Sequence, residues 1–143
     1  LPAARLIVVG RDKSQKHFQR LADFHGVSER ISWLGVVSDM TAFYQSIDIL
    51  LHPALYDPAP NVAMEAMAFG IPVVGADQTG IADFTACDGV FVVPEGKIEP
   101  MVSAVENAAL LPISSRRLLQ DAVRPYSRSY LVSKLRETYE GIQ

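Results

Sequence analysis

The sequence predicts an α/β fold, a parallel sheet with helices on both faces. Short β-branched runs alternate with helix-patterned stretches five times along the chain, and glycine or proline marks most junctions. The runs are also continuously apolar rather than alternating, as expected of parallel strands covered on both sides. A length of 143 residues suits one ordinary domain, and 49% apolar with 20% charged residues places it among globular chains.

The elements follow in order. Arg5-Leu-Ile-Val-Val-Gly10 reads as a buried strand ending in glycine. Ser14 to His25 carries Phe18, Leu21, Ala22 and Phe24 at helical spacing, and Gly26 supplies a left-handed stop followed by apolar Val27. Ile31-Ser-Trp-Leu34 is a second strand, and Asp39 to Ser46 a short helix capped by Ser38 or Asp39. Asp48-Ile-Leu-Leu-His52 is a third strand, stopped by Pro53. A helix over Asn61 to Phe69 ends at Gly70, and Pro72-Val-Val-Gly75 is a fourth strand. A short helix near 81–86 and the strand Val90-Phe-Val-Val93 come next. Helices then fill about 99–111, 113–124 and 127–141, the last with Leu131, Leu135, Tyr139 and Ile142 on one stripe. In such sheets ligands bind beyond the carboxyl ends of the strands, so the loops to inspect are 11–14, 35–39, 53–61 and 76–80.

Composition excludes several classes. A formal net charge of −3, with 13 basic and 16 acidic residues scattered along the chain, offers no basic face for nucleic acid. Cys87 is the single cysteine, so an internal disulfide is impossible and a small, buried, unreactive thiol is the ordinary reading. No apolar run approaches the roughly 20 residues that span a bilayer. Leu1-Pro-Ala-Ala-Arg5 leads directly into a strand, unlike a signal peptide, and lacks an initiator methionine, so a piece of a longer protein is expected. His17, His25 and His52 are too dispersed for a metal cluster, and no Asp-x-Asp pair exists. Gly70, Gly75 and Gly80 do not form a dinucleotide fingerprint.

The most informative stretch runs from His52 to Gly70. Its helix is apolar almost all round, with Val62, Ala63, Met64, Ala66, Met67, Ala68 and Phe69, and Glu65 is its single charge. Met64, Met67 and Phe69 read as core. A helix apolar on every side is normally buried, so one carboxylate within it needs a partner or a purpose. Asn61 lies one turn before Glu65 on the same face, and Asp57 four residues further back. Such groups beside a helix start, where unpaired amides and the helix dipole favour anions, suit a phosphate-bearing ligand.

The spacing Asp57-x7-Glu65, followed by Ala-Met-Ala-x-Gly-x-Pro-Val-Val, resembles the Glu-x7-Glu signature of glycosyltransferase family 4. Val8-Val-Gly10, Trp33-Leu-Gly35-x-Val37 and Asp48-x-Leu-Leu-x-Pro53 match further landmarks of that family, in the correct order, over about residues 5–94. The wording of Val8-Val-Gly-Arg-Asp-Lys13 and Leu50-Leu-His-Pro-Ala54 is closest to its lipopolysaccharide core glucosyltransferases. The resemblance implies a Rossmann-like domain, the C-terminal half of the GT-B fold, spanning residues 1–143, with the acceptor-binding N-terminal domain outside this chain. It implies binding of a nucleoside-diphosphate sugar, UDP-linked, and retaining, metal-independent transfer in glycan or lipopolysaccharide synthesis. No cofactor is implied; the resemblance implies a cytoplasmic setting, either free or, for the full-length protein, at the inner face of the membrane. The last helix would cross to the other domain, and its stripe could drive self-association in an isolated piece.

Residue by residue, the resemblance gives Glu65 the donor ribose hydroxyls and Asp57, the catalytic candidate, the hydroxyls of the transferred sugar. Backbone amides around Asn61 and Val62 would hold the distal phosphate. The backbone near Val37 would frame the base, and Arg11 and Lys13 would assist the diphosphate. Three departures bear on this. Asp57 replaces the usual glutamate and is shorter by roughly 1.5 Å, which implies a different donor-sugar choice. Pro60 stands where glycine is usual and removes an amide, and Thr79-Gly80 replaces a Gly-Gly loop. The family's Arg and Lys diphosphate pair precedes Leu1. Plainer readings stand beside these: Glu65 paired to an arginine for stability, Asp57 capping the next helix, Arg11 and Lys13 as surface charges. The competing functions are a UDP-sugar 2-epimerase half and a non-catalytic nucleotide-sugar-binding module.

Overall fold

A computed structural model describes residues 3–140. The chain forms two compact units, the first ending at Phe43 and the second beginning at Tyr44.

In the first unit, β1 (Leu6–Val9) pairs in parallel with β2 (Ile31–Gly35), and the register slips between Val8 and Val9. The Gly10 amide extends the ladder to the Gly35 carbonyl at 2.7 Å. Between them lies α1 (Gln15–Phe24). Its end is a Schellman turn, as the Gly-Val pair anticipates. The Val27 amide reaches the Ala22 carbonyl and the Gly26 amide the Asp23 carbonyl, both at 3.0 Å, with Gly26 at φ +64°. Two expectations change here. β1 is half-buried with Leu6 exposed, because in a two-stranded sheet every strand is an edge. Phe24, at 83% exposure, leaves the core stripe, and Ala22 is the α1 residue that is buried. The helix α2 (Met40–Gln45) starts where Asp39 caps it, its Oδ1 accepting from the Ala42 amide at 3.0 Å, so of the two candidates Asp39 is the cap.

The second unit is built on three parallel strands in the order β3-β4-β5: β3 (Leu50–His52), β4 (Val73–Ala76) and β5 (Val90–Val93). The central strand β4 is buried throughout, which its continuous Val-Val run anticipates. Helices cover both faces. Val74 and Val93 meet Ala104 and Ala108 of α4 (Ile98–Ala109), while α3 (Asn61–Ala68) packs on β3 and β4 and is backed by α5 (Ser115–Val123). Small alanines at these contacts let helix and sheet backbones approach closely. The short helix near 81–86 is a 3-10 turn over Gly80–Phe84. After α5 comes the turn Arg124–Tyr126, then α6 (Arg128–Glu140), none of whose residues is buried. Leu131, Leu135 and Tyr139 of its stripe are exposed; Gly141 and Ile142 lie outside the described residues. Cys87 is half-buried, not a core residue.

Candidate functional site

The loops beyond β3 and β4 meet at the carboxyl ends of the strands. The Gly80 amide donates to the Asp57 carbonyl at 2.8 Å, and Asp57 bridges Thr79 as an isolated strand pair. Thr79, buried, turns its hydroxyl back onto the Ala76 carbonyl at 2.7 Å. Gly80 is needed for this closeness, since a Cβ there would sit 2.4 Å from the Pro58 carbonyl oxygen. Asp57 is therefore anchored, although its side chain remains 34% exposed. Its Oδ1 accepts from the Ala59 amide at 3.3 Å and its Oδ2 faces His52 Nε2 at 3.1 Å. It does not cap α3, which removes the plainer reading of that residue.

At the start of α3, the Pro60 carbonyl accepts from the amides of Ala63 and Met64 at 2.9 and 3.2 Å. The amides of Asn61 and Val62 precede any intrahelical partner and carry no hydrogen bond among the described residues. Both residues are exposed.

The helix is not buried on every side, contrary to the sequence reading. Ala63, Ala66 and Met67 form its buried face, Met64 and Phe69 are half-buried, and Asn61, Val62, Glu65 and Ala68 are exposed. Apolar residues such as Val62 and Ala68 can face outward at little cost, so an all-apolar pattern does not by itself enclose Glu65. The partner of Glu65 is a phenol. Tyr44, only 3% exposed, donates its hydroxyl to Glu65 Oε2 at 2.7 Å, while its ring stacks on Phe69 at 5.4 Å. Among the described residues no ion pair involves Glu65, which removes the arginine-paired reading. Burial first, and then the adjacent Glu65 carboxylate, push the Tyr44 hydroxyl well above its ordinary range, so it stays protonated and donates.

Glu65 also borders a cleft of about 480 Å³, shared with Asn61, Gln120, Arg124, Tyr126 and Ser127 among others. Sequence reasoning missed Tyr44, His52 as the partner of Asp57, and Arg124. Only the His52-x4-Asp57 spacing carried a local trace of any of them. Asp57, Asn61, Val62 and Glu65 thus fall on one loop and helix of the second unit. Arg11 and Lys13, exposed after β1, and Val37, half-buried after β2, belong to the first. Among the described residues no group of three His, Cys, Asp or Glu side chains could hold a metal ion, and no helix is long and apolar enough to cross a membrane.

In parallel sheets, strand-end loops that lead into a helix with unpaired first-turn amides are where phosphate-bearing ligands ordinarily bind. The chain belongs to the glycosyl transferases group 1 family, whose model matches residues 1–109. It is 36% identical over 81 residues to the lipopolysaccharide glucosyltransferase WaaG of Escherichia coli, covering 57% of this chain and 21% of that protein. The crystal structure of a WaaG, described as involved in lipopolysaccharide biosynthesis, matches with a TM-score of 0.71 and 27% identity over 83% of this chain and 33% of that one. Anabaena HepE in complex with UDP shares the fold, with a TM-score of 0.83 at 19% identity over 99% of this chain and 42% of that one. The chain thus spans less than half the length of each. Membership of the family and its α/β fold agree with the resemblance carried by the sequence motifs.

Proposed function

We propose that residues 1–143 are the donor-binding C-terminal half of a retaining, metal-independent hexosyltransferase that works in glycan or lipopolysaccharide synthesis at the cytoplasmic face of a membrane. Its donor is a UDP-linked sugar. An N-terminal domain of the intact protein holds the acceptor, and the exposed stripe of α6 packs against that domain; in an isolated piece the same stripe promotes self-association.

The observation that carries this reading is Glu65, exposed one turn into a helix whose Asn61 and Val62 amides are unpaired, beside a cleft of about 480 Å³. The amides and the positive end of the helix dipole stabilise charge on the departing diphosphate, which needs no metal for this purpose. Glu65 accepts from ribose hydroxyls. Asp57, anchored by His52 and the Ala59 amide, meets hydroxyls of the transferred sugar and takes the catalytic role. Arg11 and Lys13 are assigned to diphosphate charge, and the Val37 backbone to the base. WaaG supports the lipopolysaccharide setting, and HepE, solved with UDP and with UDP-glucose, supports the donor.

Calorimetric titration with UDP, ADP and GDP tests the reading. UDP binds most tightly, and Glu65→Gln weakens it about tenfold by removing a charge-assisted acceptor, with the fold unchanged by circular dichroism. Superimposable titrations of the two proteins refute the role of Glu65. Preference for ADP or GDP refutes the uridine assignment.

A further inference from the structure

We propose that Tyr44 is a positioning residue for the donor site, holding the Glu65 carboxylate in the one orientation that presents Oε1 to a ribose diol. The inference rests on the donor-binding reading above and adds a residue to it.

Tyr44 stands 21 residues before Glu65 and is buried, whereas Glu65 is exposed. An exposed glutamate on a helix ordinarily samples several rotamers, and ordering it on ligand binding costs side-chain entropy. Here the ordering is already in place. The phenol's single proton goes to Oε2, 2.7 Å away, while the Val62 carbonyl in the first turn of α3 lies 3.4 Å from the same oxygen, a far weaker contact. Its ring is clamped by the stack on Phe69, the residue that ends the same helix. Oε1 has no hydrogen-bond partner among the described residues. A phenylalanine would keep the ring and its stack on Phe69, so Tyr44→Phe removes the hydroxyl alone, whose shortest contact is the bond to Glu65.

A packing role and a positioning role separate through the ligand's own hydroxyls. The ratio of affinities for UDP and 2′,3′-dideoxy-UDP reads the diol contact alone. Tyr44→Phe is expected to shrink that ratio about fivefold to tenfold while leaving affinity for the dideoxy compound unchanged. Glu65→Gln should shrink it similarly, and the double variant should lose little more, as groups acting through one contact do. If Glu65→Gln shrinks the ratio and Tyr44→Phe does not, the positioning role is wrong and the donor reading survives. Equal loss of both ligands in Tyr44→Phe also overturns it, in favour of packing. A ratio unmoved by Glu65→Gln sinks the donor reading itself. Should Tyr44→Phe fail to fold, 3-fluorotyrosine at position 44 carries the test. Its stronger donor should alter the ratio, and an unaltered ratio overturns the inference.

Discussion

Gly70 joins the end of α3 to β4 and offers a measurable test of how tightly α3 and α5 are fitted. Its φ of +72° is left-handed, and there the Ile71 amide closes onto the Ala66 carbonyl at 3.0 Å. A Cβ at this position would lie 2.9 Å from Arg116 Cβ and 3.1 Å from the Arg116 carbonyl oxygen. These belong to the α5 main chain and first side-chain carbon, which cannot swing aside as a long side-chain tip could. Gly70→Ala therefore carries two costs: about 1–2 kcal/mol for the left-handed conformation and about 1–3 kcal/mol for overpacking. Gly96 provides the control within the same unit. Its φ is +67°, yet a Cβ there meets nothing within 4 Å, so Gly96→Ala carries the first cost alone. At roughly 4 °C per kcal/mol for a unit of this size, Gly70→Ala should melt about 4–12 °C below Gly96→Ala, with a matching shift in urea midpoint followed by circular dichroism. Equal midpoints would refute the close fit of α3 on α5, and with it the rigidity of the helix that carries Glu65.

Two further outcomes follow from burial. Met67 is 0% exposed at the centre of the α3 face, so Met67→Ala should lower the unfolding free energy by about 2–5 kcal/mol in urea, and a loss below about 1 kcal/mol would contradict its place in the core. The Cys87 thiol is pushed upward by burial and then by the charge of Asp88, so less thiolate is present near its ordinary range than in an unfolded chain. Iodoacetamide should accordingly label the native protein more slowly than the urea-unfolded one at pH 8.5. The same shift favours the folded state below the unfolded thiol's pKa, and that contribution is lost as pH rises through the folded value.

Much of the fold was legible along the chain because it depends on neighbours in sequence. The Val-Val run of β4, the Gly26 and Gly70 stops and a cap at Ser38 or Asp39 each follow from rules acting within a turn or strand, the structure choosing Asp39. The family, too, was legible, since its landmarks are fixed spacings such as Asp57-x7-Glu65. Burial was not. Periodicity marks α3 as apolar all round, but only the stacking of α3 on β3, β4 and α5 decides that Ala63, Ala66 and Met67 face inward while Val62, Glu65 and Ala68 face out. Partners across the fold were equally hidden, for Tyr44 meets Glu65 21 residues away and Ser115 meets Asp88 27 away, with no repeat linking either pair. The sequence alone determined the elements, their order and the family, because hydrophobic period, caps and stops are local energies. Tertiary structure decided which side of each element meets a neighbour, because that depends on shapes and volumes brought together from distant parts of the chain.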